Sequence, residues 1–378
     1  MPENKNFYRN FFSIYAALVL QNVITISVNL ADNMMLGAYS ETSLAGVAAV
    51  NQIQFIFQQI LTALGEGVVI ICSQYWGKRQ TEPMKRIAAA AMRLGLIVAV
   101  ILFLAVSVFP YQAIGIFTTD MPIIQEGVDY LRIIRFTYLF FAVSQLLLAT
   151  LRSTEIVKIA FYLSVMTFFV NCGINYLLIY GKFGAPRMGT AGAAVGTLAA
   201  RILECCILIV YMAKREKNLK IRLRDYLRFD RLLLKDYIRI TGPMVLVQGL
   251  WGVNTALQTA ILGHMTSAAI AANSAASTIF MLVKSTAVGA ASTASVIIGK
   301  TVGTGDIGRV KSYAGKMQRL FLVIGMISGI ILFFIRIPIL SLYDLSASTK
   351  EMANTFLIIL SVVCVGMSYQ MPTNNGII

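Results

Sequence analysis

Residues 11–36 read FFSIYAALVLQNVITISVNLADNMML. The run carries no charge before Asp32, and it exceeds the roughly 20 apolar residues a helix needs to cross a bilayer. Nine more predominantly apolar runs follow, at 45–72, 88–108, 131–150, 159–180, 190–213, 237–262, 269–298, 315–336 and 352–372. One such run is compatible with a buried core helix, but ten define an all-α polytopic membrane protein. Composition agrees: 57% of residues are hydrophobic and 13% charged, against about 25% charged in a soluble domain. A transmembrane barrel would instead alternate polar and apolar residues along strands of about ten.

In a soluble chain the net charge of +15 would suggest a nucleic-acid partner. Its distribution gives it another origin. Of 32 Lys and Arg, 24 lie at the N-terminus, in the connections after the second, fourth, sixth and eighth runs, or at the run ends beside them (Arg93, Arg239, Lys316, Arg319), among them Lys78, Arg79, Lys214 and Arg309. Four lie in the opposite connections (Lys182, Arg187, Arg336, Lys350) and four inside runs (Arg132, Arg135, Arg201, Lys284). This positive-inside pattern puts the N-terminus in the cytoplasm of a multi-pass cell-membrane protein. The expected partners are the bilayer and a small molecule, not nucleic acid, and a monomer is expected.

The connection at 213–236 is long, charged and amphipathic, as suits a helix lying on the cytoplasmic face. It separates an N-terminal bundle of six helices (1–212) from a C-terminal bundle (237–378). The two halves resemble each other. Aligning Gly37 with Gly263 sets Asp32 opposite Gln258, and aligning Gly67 with Gly289 matches Ser73 with Ser295 and Gly77-Lys78 with Gly299-Lys300. The matched basic loops share one side of the membrane, so the repeats run parallel, each with an even number of spans. The second repeat has four runs where the first has six, and the expectation is that two further helices would complete it.

A charge near the bilayer centre costs roughly 2.5–3.5 kcal/mol by insertion scales, so the few polar side chains in the runs should face one another or a cavity. Gln21, Thr25 and Asp32 fall within about 40° on a helix turning about 100° per residue. Asn51, Gln54, Gln58 and Glu66 share one face of the second run. Gln248 and Gln258 mark the seventh, and Lys284 sits midway along the eighth. Together they predict a hydrated substrate cleft. Neutral stripes of this kind also serve as interhelical glue, worth about 0.6 kcal/mol each. Asp32, a lone carboxylate, is the strongest functional candidate. Arg201 and Glu204, three apart on one helix, are expected to neutralise each other.

Enzyme chemistry finds no foothold. The sole histidine, His264, excludes a multi-histidine metal site, and its expected place in an exposed loop does not suit the base of a Ser-His-Asp triad. The five cysteines have no metal-site spacing and read as small buried thiols. GTGDIG (303–308) matches a dinucleotide-binding pattern, but it joins two apolar runs and lacks the strand that the fingerprint requires.

Asp32 and Gly37 ending the first run, QYWGKR (74–79) ending the second, Leu151-Arg152, Asn171 with Asn175, and Gly192-Ala193-Ala194 with Thr197 together resemble the multidrug and toxic compound extrusion family. The resemblance implies a V-shaped transporter of two bundles that exports organic compounds or drugs in exchange for protons or sodium by alternating access. It carries the coupling site onto Asp32, Asn171, Asn175 and Thr197. A carboxylate with side-chain oxygens suits a hard cation such as sodium, and proton uptake at the same carboxyl is the other option; no further cofactor is implied. The family's sodium-coupled branch is similar but carries acids in the second half, where this chain has Gln248 and no acid around Ser368. Lys284 is expected to pair with an acid across the cleft or to meet an anionic part of the substrate. Two rival readings are a flippase for lipid-linked oligosaccharide from the same superfamily, favoured by Arg132, Arg135, Arg201 and Lys284, and a non-transporting membrane assembly protein.

Overall fold

A computed structural model describes residues 2–216, 219, 221, 225–226, 230–263, 267–341 and 347–377. Within these, side chains are described except at 2–5, 256, 258–263, 267–272, 274–275 and 278. Among the described residues the structure is helical throughout, without a strand: α1 (Pro2–Tyr39), α2 (Glu41–Gly77), α3 (Thr81–Val108), α4 (Pro110–Gly115), α5 (Met121–Ile134), α6 (Thr137–Ser153), α7 (Lys158–Tyr180), α8 (Thr190–Lys214), α9 (Arg231–Gly263), α10 (Ser267–Gly303), α11 (Ile307–Ser341) and α12 (Ala347–Gly376). His264 lies outside the described residues.

Each apolar run coincides with a helix, and the fourth corresponds to α5 and α6 together. Among the described residues, eight helices are long and apolar enough to cross a membrane, or nine if the α5–α6 pair, bent by 54°, is one span. The seventh run lies on α9, whose side chains at 256 and 258–263 are outside those described, and it is not among these helices. The fourth span also starts earlier than its apolar run. Asp120 precedes α5 and Pro122 lies in its first turn, where a missing N–H and a fixed φ do no harm. GTGDIG joins α10 to α11, with Gly305 at φ 78° and the Asp306 carboxylate accepting the Arg309 N–H at 2.9 Å. Cys72, Cys205 and Cys364 are buried as expected, but Cys172 is half-buried and Cys206 exposed.

The chain divides into two compact units whose boundaries fall inside α1 and α9. The larger comprises Ile24–Gly252. There α2 packs on α3, α5 and α6, while α8 packs on α5, α6 and α7. Gly46 lets α2 meet α5 backbone to backbone, since a Cβ there would lie 2.8 Å from the Gly127 nitrogen. The connection before α9 is tied to α3: Arg86 pairs with Asp230 at 2.8 Å and Arg93 donates to the Tyr226 carbonyl at 2.8 Å. The Arg86 guanidinium holds the Asp230 carboxyl below its ordinary range, and burial pushes the Tyr226 phenol up. Asp225 and Tyr226 form a short 3₁₀ turn; of the surface helix expected over 213–236, the first residues belong to the end of α8 and the last to the start of α9, and 217–218, 220, 222–224 and 227–229 lie outside the described residues.

The other unit comprises Met1–Val23 and Val253–Ile378. Within it α12 runs along α10 and α11, burying Ile279, Val283, Leu332 and Leu357. At its N-terminal end Phe7 meets Tyr313 with ring centroids 4.6 Å apart, and Lys316 lies over both rings.

Candidate functional site

Two asparagines one turn apart on α7 organise the polar interior of the larger unit. Asn175 and Asn171 are 0% and 1% exposed, and a buried amide must find partners on other helices because its own backbone is already satisfied. Asn175 Nδ2 donates to Asp32 Oδ1 on α1 at 2.6 Å and to Asn171 Oδ1 at 3.3 Å; Asn171 Nδ2 donates to Thr197 Oγ1 on α8 at 3.1 Å. The four residues carried over by resemblance are therefore one hydrogen-bonded chain on three helices. Asn175 Oδ1 is buried and has no hydrogen-bond partner among the described residues.

Backbone geometry holds the cluster in place. The Tyr180 hydroxyl donates to the Met35 carbonyl at 2.9 Å, fixing α1 against α7. On α8 the small residues Gly192 and Gly196 face α7. A Cβ at Gly196 would lie 2.0 Å from Asn175 Oδ1, and one at Gly192 would lie 2.8 Å from the Leu178 backbone. Small residues four apart allow this close helix contact.

Asp32 and Thr197 line a cavity with about 50 Å³ of room for water, together with Asn51, Gln54, Gln58, Tyr130, Tyr138 and Arg201. One water needs roughly 10–15 Å³ on this scale, so a few waters or a small ion fit. A drug-sized ligand, which needs roughly 300 Å³ or more, does not. Arg201 pairs with Glu204 at 2.8 Å, as its spacing predicts, and also stacks over Phe141 at 5.0 Å. Tyr130, 4% exposed and with its hydroxyl beside Thr197, was not legible in the apolar run, which begins one residue after it. Asp120 followed by Pro122 is the signal that would have started the helix early enough to include it.

The remaining cleft candidates lie elsewhere. Glu66 pairs with Arg152 of α6 at 2.8 Å, both less than a fifth exposed. Gln248 accepts from Gln59 Nε2 at 3.2 Å, drawing α9 onto α2, where Gly67 leaves room for Thr241. Thr25 is exposed on α1. Gln21 and Lys284, both half-buried, belong to the other compact unit. The side chain of Gln258 lies outside those described.

Long apolar helices in two units, with a half-buried carboxylate held by two buried amides beside a water-sized cavity, define a polytopic membrane transporter. The chain belongs to the MatE family, whose model matches residues 17–177 and 243–377. It is similar to a Bacillus subtilis protein described as "Probable multidrug resistance protein YoeA", 24% identical over 359 residues, covering 93% of this chain and 77% of that one. A Streptococcus pneumoniae protein described as "Probable multidrug resistance protein NorM" is 25% identical over 361 residues, covering 92% and 77%. Among solved structures, an outward-facing "multidrug resistance MATE family transporter of the MOP superfamily" shares the fold with a TM-score of 0.88, at 19% identity over 97% of this chain and 82% of that one.

Proposed function

We propose that this protein is a secondary active antiporter of the cell membrane that exports organic compounds, drugs among them, in exchange for protons or sodium. Asp32 carries the coupling ion. The supporting observation is the hydrogen-bonded chain of Asp32, Asn175, Asn171 and Thr197, its two amides buried, with Asn175 Oδ1 unpartnered among the described residues. A carboxylate, amide oxygens and a hydroxyl are the donor set of a hard cation, and an orphaned buried acceptor has a desolvation cost that such a cation would offset. A proton on the Asp32 carboxyl would serve the same role, turning an acceptor into a donor. Ion binding that favours one arrangement of the helices over another is the minimum needed for alternating access. The names of the relatives support a drug-like substrate, and the charge distribution supports a cytoplasmic N-terminus. The working unit is a monomer.

The test is substrate flux in proteoliposomes with pH and sodium gradients imposed separately. Flux driven by one gradient and not the other is expected, and it names the ion. Flux indifferent to both would overturn the antiport reading.

A further inference from the structure

We propose that the larger unit also carries a phospholipid-headgroup site where α2, α3 and α9 meet, distinct from the Asp32 cluster. A cavity of about 410 Å³ lies there, within the roughly 300–1,000 Å³ typical of small-molecule sites. Its charged lining is Lys78, the residue that ends α2, with Arg239 and Asp236 from α9. Gln74 and Tyr75 add side-chain donors, and Ile71, Ile87 and Ile240 supply apolar wall. Basic residues at the end of a membrane span are commonly solvated by water and anionic lipid without any built site. Three features set this place apart.

The first is that the basic groups are uncommitted. Among the described residues Lys78 and Arg239 form no ion pair, whereas Arg86, Arg152 and Arg201 of the same unit each do. The second is that the lining is amphipathic, with cations beside aliphatic side chains, which matches an amphiphile rather than a free ion. The third is Asp236, which would repel a bare anion but accepts from a hydroxyl or a primary ammonium. Two cations and one acid therefore suit a phosphate with a hydrogen-bond-donating tip, as in phosphatidylglycerol or phosphatidylethanolamine. Phosphatidylcholine has the phosphate, but its methylated nitrogen has no hydrogen to donate to Asp236. The position fits the lipid source, because Lys78 follows directly on a membrane-spanning helix.

The experiment is lipid retention by the full chain in detergent, read by native mass spectrometry after exchange with phosphatidylglycerol, phosphatidylethanolamine or phosphatidylcholine. Wild type should retain the first two over the third. The double variant Lys78→Gln/Arg239→Gln should lose about thirtyfold in retention of both, consistent with the worth of two basic residues near a membrane surface. Lys78→Arg should keep binding and guards against a folding artefact, and Asp236→Leu, which removes the acceptor, should erase the preference over phosphatidylcholine. Arg309→Gln/Lys311→Gln removes the same charge from another basic loop and should change nothing. Equal retention of all three lipids by wild type, or an equal loss in the Arg309/Lys311 variant, would overturn the proposal. Displacement of the lipid by inorganic phosphate alone would replace it with a free-anion site.

Discussion

In α10, Thr293 and Thr301 turn their hydroxyls back to the carbonyls of Gly289 and Ile297, each at 2.7 Å, and Ser285 does the same to Leu282 at 2.6 Å. In the cluster of α1, α7 and α8, by contrast, Asp32, Asn175, Asn171 and Thr197 bond from helix to helix. The first group is satisfied by its own helix and needs nothing from a neighbour. The second depends on three helices holding their relative positions, and still leaves Asn175 Oδ1 without a donor. Polar residues in membrane helices thus divide by where their bonds go. Those that bond back are compatible with packing alone, while those that bond across are sensitive to a relative movement of helices and able to report it.

The contrast breaks most readily at Gly196. A methyl group there would meet Asn175 Oδ1 at 2.0 Å, whereas one at Gly173 has nothing within 4 Å. Gly196→Ala should reduce gradient-driven transport to background and Gly173→Ala should leave it at the wild-type rate, measured in the same vesicles. Next comes the Glu66–Arg152 pair, which also bonds across helices but serves stability. Removing one partner takes a charge-assisted hydrogen bond from the other, so Arg152→Gln should cost about 1.5–3 kcal/mol. Thermal unfolding in detergent would show it, and the double variant Glu66→Gln/Arg152→Gln should cost less than the two single changes summed. The back-bonded hydroxyls give a smaller effect: Thr293→Val and Thr301→Val should each cost about 0.6 kcal/mol or less and leave transport unchanged.

The smallest expected effect is at Asp230. Arg86 beside it lowers its carboxyl relative to the unfolded chain. Stability from this pair is therefore present above the unfolded value, near about pH 4, and is lost only as pH falls through the lower folded value. Exchange protection of the Leu232 and Leu233 amides, which donate to the Asp230 carboxylate at 3.0 and 3.1 Å, should stay flat between about pH 5 and 8. A pH dependence of transport in that window then has another origin.

The membrane class was legible from residues 11–36 and the runs like them, because a helix in lipid must be apolar along its length whatever it packs against. Asp32 was legible for the same reason, as a group that the solvent forbids without a partner. The partners were legible only by resemblance: the spacing of Asn171 and Asn175 gives one helical face, but no periodicity says that the face meets α1 and α8. Tyr130 was lost because the bend between α5 and α6 leaves half a span too polar to register as a run. The counter-charge of Glu66 was not legible, because Arg152 lies 86 positions away in sequence, and such a pairing leaves no local trace. Arg201 carried the clearest short-range signal, yet its place in the Asp32 cavity depends on how α8 is rotated in the bundle.

The most direct test of the coupling role is Asp32→Asn, assayed for substrate flux under imposed pH and sodium gradients, with substrate binding measured alongside. The expected result is that binding persists while flux no longer responds to either gradient. A variant that keeps the wild-type response to the driving gradient would show that the coupling ion does not bind at Asp32.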